Sequence, residues 1–173
     1  MKKTIVTIFI FIITIIQCDQ ITSDQDYVLT PKIDYTKEYT NNNLELVIYY
    51  IPLSVLTNVP ITLDRLKKGY SYKIYIQHAN LFELRDKLNE INNKKLYKAN
   101  IDHLPDLRVH CELISNNKIL FSYSLSGNCM LFNKVKVKPY KEFYYIIKDF
   151  IPQREFDSYQ IMIKDIEYAT LPK

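Results

Sequence analysis

The chain has 173 residues, 47% of them apolar and 24% charged. That is ordinary globular usage, and the length is enough to bury a core without disulfide or metal staples. With only two glycines, Gly69 and Gly127, a phosphate-cradling loop, a dinucleotide fingerprint and a Gly-x-Ser-x-Gly nucleophile elbow are all excluded. The formal charge of +4 comes with no basic run of five or more, so the chain shows no footprint for nucleic acid.

The N-terminus carries the first decisive pattern. Met1-Lys2-Lys3 is followed by an almost wholly apolar run from Thr4 to Ile16, then by Gln17-Cys18-Asp19. As a helix that run reaches about 18 Å, short of the ~30 Å hydrocarbon slab that a spanning helix must cross. Charge followed by a short apolar stretch is the pattern of an export signal, here residues 1–18. Ile15-Ile16-Gln17-Cys18 resembles the lipobox of bacterial lipoproteins, with Gln17 where that family prefers Gly, Ala or Ser. In that family the cysteine is acylated and the chain is cut just before it. The resemblance implies lipid attachment at Cys18 and a place in the cell envelope, anchored to the extracytoplasmic side of a membrane. Read from the residues alone, cleavage after Cys18 with secretion, or retention as an uncleaved anchor, also stands. Loss of Lys2 and Lys3 with the signal leaves 21 basic against 19 acidic side chains.

Residues 19–43 are polar and without sustained period, and they read as a tether. Residues 44–173 then form one domain. Leu44 to Ile51 is a strand with apolar residues on both faces. Pro52 and Pro60 bracket an irregular segment, and Thr62 caps a short helix, Leu63 to Lys68, with Gly69 at the left-handed stop. Tyr70 to Gln77 is the next strand, placing Tyr70, Tyr72, Ile74 and Ile76 on one side. Asn80 and Glu83 form a capping-box pair for a helix whose buried stripe is Leu81, Leu84, Leu88 and Ile91.

Leu107 to Ser115 and Ile119 to Leu125 pair as a hairpin through Asn116-Asn117-Lys118. A three-residue loop sets Leu113 opposite Phe121, Cys111 opposite Tyr123 and Val109 opposite Leu125. A two-residue Asn-Asn turn sets Cys111 against Ser122 and Val109 against Ser124, so the apolar match selects the longer loop. Cys129 to Phe132 and Val135 to Val137 continue the meander. Cys111 and Cys129 then sit two strands apart, at least ~10 Å, beyond disulfide reach, and pair only if the turn at Gly127 takes another form. A helix follows from Tyr140 to Phe150, with Phe143, Ile146, Ile147 and Phe150 inward and Pro152 as the stop. Ser158 to Tyr168 reads as a last strand. The order predicts an α+β domain, a largely antiparallel sheet with helices on one face.

Chemistry-bearing residues are sparse. His78, His103 and His110 fall in no metal-ligand spacing, so no cofactor, metal or catalytic set is assigned. Arg108, His110 and Glu112 share one strand face and Cys111 the other, which parts the Cys–His pair and makes the polar row read as a solvated face. Lys134, Lys136 and Lys138 read as a lysine row guarding a sheet edge. Tyr49, Tyr50, Tyr70, Tyr72, Tyr75, Tyr144 and Tyr145 are candidates for a contact surface. These features lead to a lipid-anchored, non-catalytic protein that binds a protein partner, for example in toxin immunity or envelope assembly. An enzyme with dispersed site residues and a small-ligand carrier are the alternatives.

Overall fold

The computed structural model describes residues 26–40, 44–127 and 129–159. The expected export signal with Cys18, and residues 19–25 and 41–43 of the expected tether, lie outside these residues. Eight strands and six helices alternate along the described chain: β1 (Tyr27–Leu29), α1 (Tyr35–Thr40), β2 (Leu44–Tyr50), α2 (Leu63–Gly69), β3 (Tyr72–Gln77), α3 (His78–Leu81), α4 (Arg85–Glu90), β4 (Lys95–Tyr97), β5 (Val109–Ser115), β6 (Lys118–Leu125), β7 (Met130–Phe132), β8 (Val135–Val137) and α5 (Lys141–Ile147), with α6 at residues 153–159.

Every strand pairing is antiparallel. The main sheet runs β3-β2-β5-β6-β7-β8, and β1 pairs β4 in a two-stranded ribbon. A bridge from Lys98 to Val137 joins the ribbon to the edge of the main sheet. One row therefore crosses five strands and ends on the bridge to Lys98: Tyr50, Val109, Leu125, Met130, Val137 and Lys98 lie side by side at one end of the sheet.

The fold is the expected α+β domain. Leu46, Ile48, Tyr50, Val109, Cys111, Leu113, Phe121 and Tyr123 point from the sheet into the main core. Against them pack Leu81, Leu84, Leu88 and Ile91, then Phe143, Ile146 and Ile147 of α5, then Phe156 and Tyr159 of α6. The other face carries α2, whose Leu66 packs with Val47, Tyr49, Ile51, Ile61 and Leu107.

The hairpin satisfies two demands that compete in the sequence. Asn116 and Asn117 both take positive φ (49° and 61°), and Ser115 pairs Lys118, so the turn has two residues. Two left-handed residues make the type I′ geometry that matches strand twist, and asparagine tolerates it. The expected apolar register nevertheless holds, with Leu113 opposite Phe121 and Val109 opposite Leu125. A bulge reconciles them: Ile114 pairs Ile119 while Leu113 pairs Phe121, leaving Leu120 as the extra residue. Asn133 and Lys134 form a second two-residue turn with positive φ, between β7 and β8.

Four further expectations are corrected. Residues 26–40 belong to the domain and not to a tether. Ile33 and Tyr35 are in the core, and Thr30 donates its hydroxyl to Ile91 O at 2.5 Å and accepts from Lys94 N at 2.6 Å. Asn92 closes the same seam, accepting from Ile33 N at 2.7 Å and donating to Ile33 O at 2.8 Å. The helix expected from Asn80 begins at His78 and breaks between Leu81 and Arg85, where Leu84 N bonds Leu81 O, although its stripe is buried as expected. Ser158 and Tyr159 are helical and do not open a strand; residues 160–168 of that expected strand lie outside the described residues. Thr62 does cap α2, accepting from Arg65 N at 3.4 Å, but Gly69 is its last residue and has no positive φ.

Candidate functional site

The row Arg108, His110 and Glu112 is buried, which overturns its reading as a solvated face. His110 is 2% exposed, Glu112 6% and Arg108 7%. α2 and the segment between Pro52 and Pro60 cover that side of the sheet. Burial obliges each polar group to find a partner, and each does.

His110 Nε2 lies 3.2 Å from Glu112 Oε1, and Nδ1 lies 2.8 Å from Ser124 Oγ. Lys67 Nζ of α2 donates to the same Glu112 oxygen at 2.6 Å. A carboxylate only accepts, so Nε2 carries the imidazole proton and Nδ1 accepts from the Ser124 hydroxyl. Burial holds His110 below its ordinary pKa against the pull of Glu112. For Glu112 burial acts upward, but the hydrogen bonds from Lys67 and His110 outweigh it and hold the carboxyl below its ordinary range. The Ser124–His110–Glu112 order has the connectivity of a hydrolase triad. Ser124 is buried, however, so its hydroxyl meets no substrate, and the acid spends its charge on Lys67. The chain of bonds fastens α2 to the sheet.

Arg108 is a second fastening. Its Nε and Nη2 donate to Asp106 Oδ2 at 2.9 and 2.7 Å. Its Nη1 donates to Val55 O at 2.7 Å and Pro52 O at 3.3 Å, and Nη2 to Thr57 Oγ1 at 3.4 Å. Asp106 also accepts from Ile61 N at 2.9 Å, and Glu155 accepts from Leu53 N at 2.8 Å. The loop between Pro52 and Pro60 is thus held from beneath at both ends.

His103, His110 and Cys111 do not converge. Cys111 lies in the main core, on the face opposite His110, and burial there pushes its thiol up to about 12. Cys129 is likewise a buried free thiol. His103 sits in the exposed loop after β4, where its carbonyl accepts from Lys136 Nζ at 3.1 Å. Lys136 also donates to Ile101 O at 2.7 Å, so the middle of the expected lysine row ties down a loop while Lys134 and Lys138 stay exposed. Among the described residues, no group of three His, Cys, Asp or Glu is placed to hold a metal, and no helix is long and apolar enough to cross a membrane.

The tyrosines divide by position. Tyr49, Tyr50 and Tyr144 are buried, whereas Tyr72 and Tyr75 on β3, Tyr70 just before it and Tyr145 on α5 are exposed. β3 is the last strand of its sheet, and among the described residues nothing pairs with its outer side. Tyr72 stacks on Tyr50 at 5.9 Å and Tyr70 meets Tyr49 edge-on at 5.5 Å. Lys73 Nζ lies 4.9 Å from the Tyr49 ring and 4.8 Å from the Tyr75 ring. The lysine is therefore folded onto aromatic faces rather than projecting as an edge guard. On the core side of β3 a groove of about 370 Å³ runs between Tyr50, Tyr72 and Ile74 and the segment Phe150-Ile151-Pro152.

Comparison with known protein families, with curated proteins and with solved structures gives no match to this chain.

Proposed function

We propose that this chain is a lipid-anchored protein of the extracytoplasmic cell envelope that binds another protein without catalysis, and that it does so along the β3 edge. The anchor reading rests on residues 1–18 and on the lipobox-like Cys18. The binding reading rests on one observation: among the described residues β3 is an edge strand with nothing paired to its outer side, with Tyr72 and Tyr75 exposed on it, Tyr70 exposed just before it, and beside it a groove lined by Tyr50, Tyr72, Ile74, Asp149, Phe150, Ile151 and Pro152. An edge strand offers a row of free N–H and C=O groups to an extended segment of a partner, and adjacent pockets sort its alternating side chains. Tyrosine adds contact area at low entropic cost and keeps a hydroxyl for water or partner. The buried polar row braces the sheet behind that edge, and its Ser124 hydroxyl lies out of a substrate's reach.

A photo-crosslinking residue placed at Tyr72 or Tyr75 of the full chain in its native host tests the edge. The reading expects one discrete protein adduct at both positions and none at Phe82, an exposed aromatic outside the edge. Absence of an adduct at both edge positions overturns it. With the partner in hand, Tyr72→Ala and Tyr75→Ala are expected to weaken binding by roughly tenfold each, as central aromatic contacts do. The anchor is tested separately, since Cys18→Ser must abolish any acyl mass on the membrane-bound protein.

A further inference from the structure

The segment from Ile51 to Leu63 contains no ionisable side chain, yet much of it lies at the surface. Leu56 is 94% exposed, and Val55 and Val59 are exposed beside it. A leucine so fully presented would ordinarily mark a slack loop, but this loop is pinned by Arg108 through the carbonyls of Pro52 and Val55. Its backbone polar groups turn inward to the guanidinium while its apolar side chains remain outside. The loop is built to show an uncharged, apolar tip.

Its position in the fold indicates what meets that tip. The loop leaves the sheet just past Tyr50, at one end of the row that runs through Val109, Leu125, Met130 and Val137 to Lys98. At the other end of the same row, Lys98 N donates to Asp26 O at 2.7 Å. The chain thus enters the domain at the same end of the sheet as the loop, five strand spacings or ~24 Å away. Cys18 precedes Asp26 by eight residues, which reach at most ~28 Å whatever path they take. A domain held at Cys18 by acyl chains therefore keeps Asp26, on the same end of the sheet as the loop, within ~28 Å of the lipid.

We propose that Val55, Leu56 and Val59 form a second membrane contact, dipping into the headgroup–acyl boundary of the bilayer to which the chain is anchored. The inference rests on the lipid-anchor reading of Cys18. An uncharged tip inserts without the cost of desolvating an ion, and a single anchor gains strength from a second apolar contact. β3 starts at this end, where Tyr72 lies opposite Tyr50, and its half from Tyr75 to Gln77 runs away from it and stays clear for a protein partner.

The test uses the full chain in isolated membranes, with an environment-sensitive fluorophore on Leu56→Cys and, as control, on Phe82→Cys. Cys111 and Cys129 are buried and stay unlabelled in the folded protein; the unsubstituted chain reports any labelling at Cys18. Nitroxide groups carried on lipid acyl chains are expected to quench the label at residue 56 at least threefold more than that at residue 82. Equal quenching at the two sites overturns the inference. A blue-shifted label at residue 56 that lipid nitroxides do not quench also overturns it, since a protein then covers the loop. Intact mass scores the anchor independently. An acylated Cys18 with an unquenched residue 56 leaves the anchor standing and removes the loop contact, whereas quenching on a chain without acyl mass does the reverse.

Discussion

Replacing Lys67 with methionine removes the nearest cation from Glu112 while keeping an apolar stem of similar length over Tyr49. The Glu112 side chain is 8% exposed and that of Lys67 38%. Exposed pairs contribute about 0–1 kcal/mol, and stripping one partner from a fully buried pair costs about 3–5 kcal/mol. Lys67 stands partly in water, so screening discounts the upper figure, and the expected loss is about 2 kcal/mol at pH 7. For a domain of this size that lowers Tm by roughly 6–10 °C. The loss has a pH signature. Glu112 titrates below its ordinary value in the folded chain, so its contribution is present above about pH 4.5 and disappears as pH falls through the folded value. Lys67→Met relieves that depression, and its deficit therefore shrinks in acid. Urea unfolding of both chains at pH 7 and pH 3.5, repeated in a Glu112→Gln background, measures this. A deficit of equal size at the two pH values, or one that persists undiminished beside Glu112→Gln, refutes the assignment of the energy to this pair.

Four further outcomes are expected. Because burial depresses His110, the unfolded chain binds its proton first; stability should fall as pH drops through about 6.5, and His110→Gln should flatten the Tm profile between pH 7 and 5.5. Deleting Leu120 removes the bulge without moving Phe121 from Leu113, so the fold should survive with a loss of about 1–2 kcal/mol, whereas deleting Ser122 exchanges the faces of the following residues and should abolish cooperative unfolding. Asn117→Gly should raise stability by about 0.5 kcal/mol and Asn117→Ala lower it, since φ there is 61°; thermal melts decide the sign. Thiol titration of the native chain should leave Cys111 and Cys129 unreactive until denaturant is added, and fast native labelling of either would contradict their burial.

The buried polar row shows why part of the site was hidden. Alternation correctly placed Arg108, His110 and Glu112 on one face, but polarity alone made that face read as wet. The missing signal lay on the neighbouring strand. Val47 and Tyr49 pair with Glu112 and His110 across β2 and β5, so the apolar second face of β2 already implied a cover over its partner's polar residues. The exposed tyrosines were legible only as a set. Tyr49, Tyr50, Tyr70, Tyr72 and Tyr75 look alike in the sequence, and they part only because β2 is central and β3 is an edge.

What the sequence determined by itself was whatever depends on near neighbours. Strand periodicity gave the apolar register of the β5–β6 hairpin, Thr62 marked the start of α2, and the leucine spacing named the buried stripe of α3 and α4. Tertiary structure alone decided which faces are covered and which edge is left open. The polar tract at 26–40 joins the domain because Thr30 and Ile33 meet Ile91, Asn92 and Lys94, about sixty residues away in the chain. Such contacts leave no period in the sequence, because burial depends on what arrives from a distance, whereas alternation is fixed by the backbone of the strand itself.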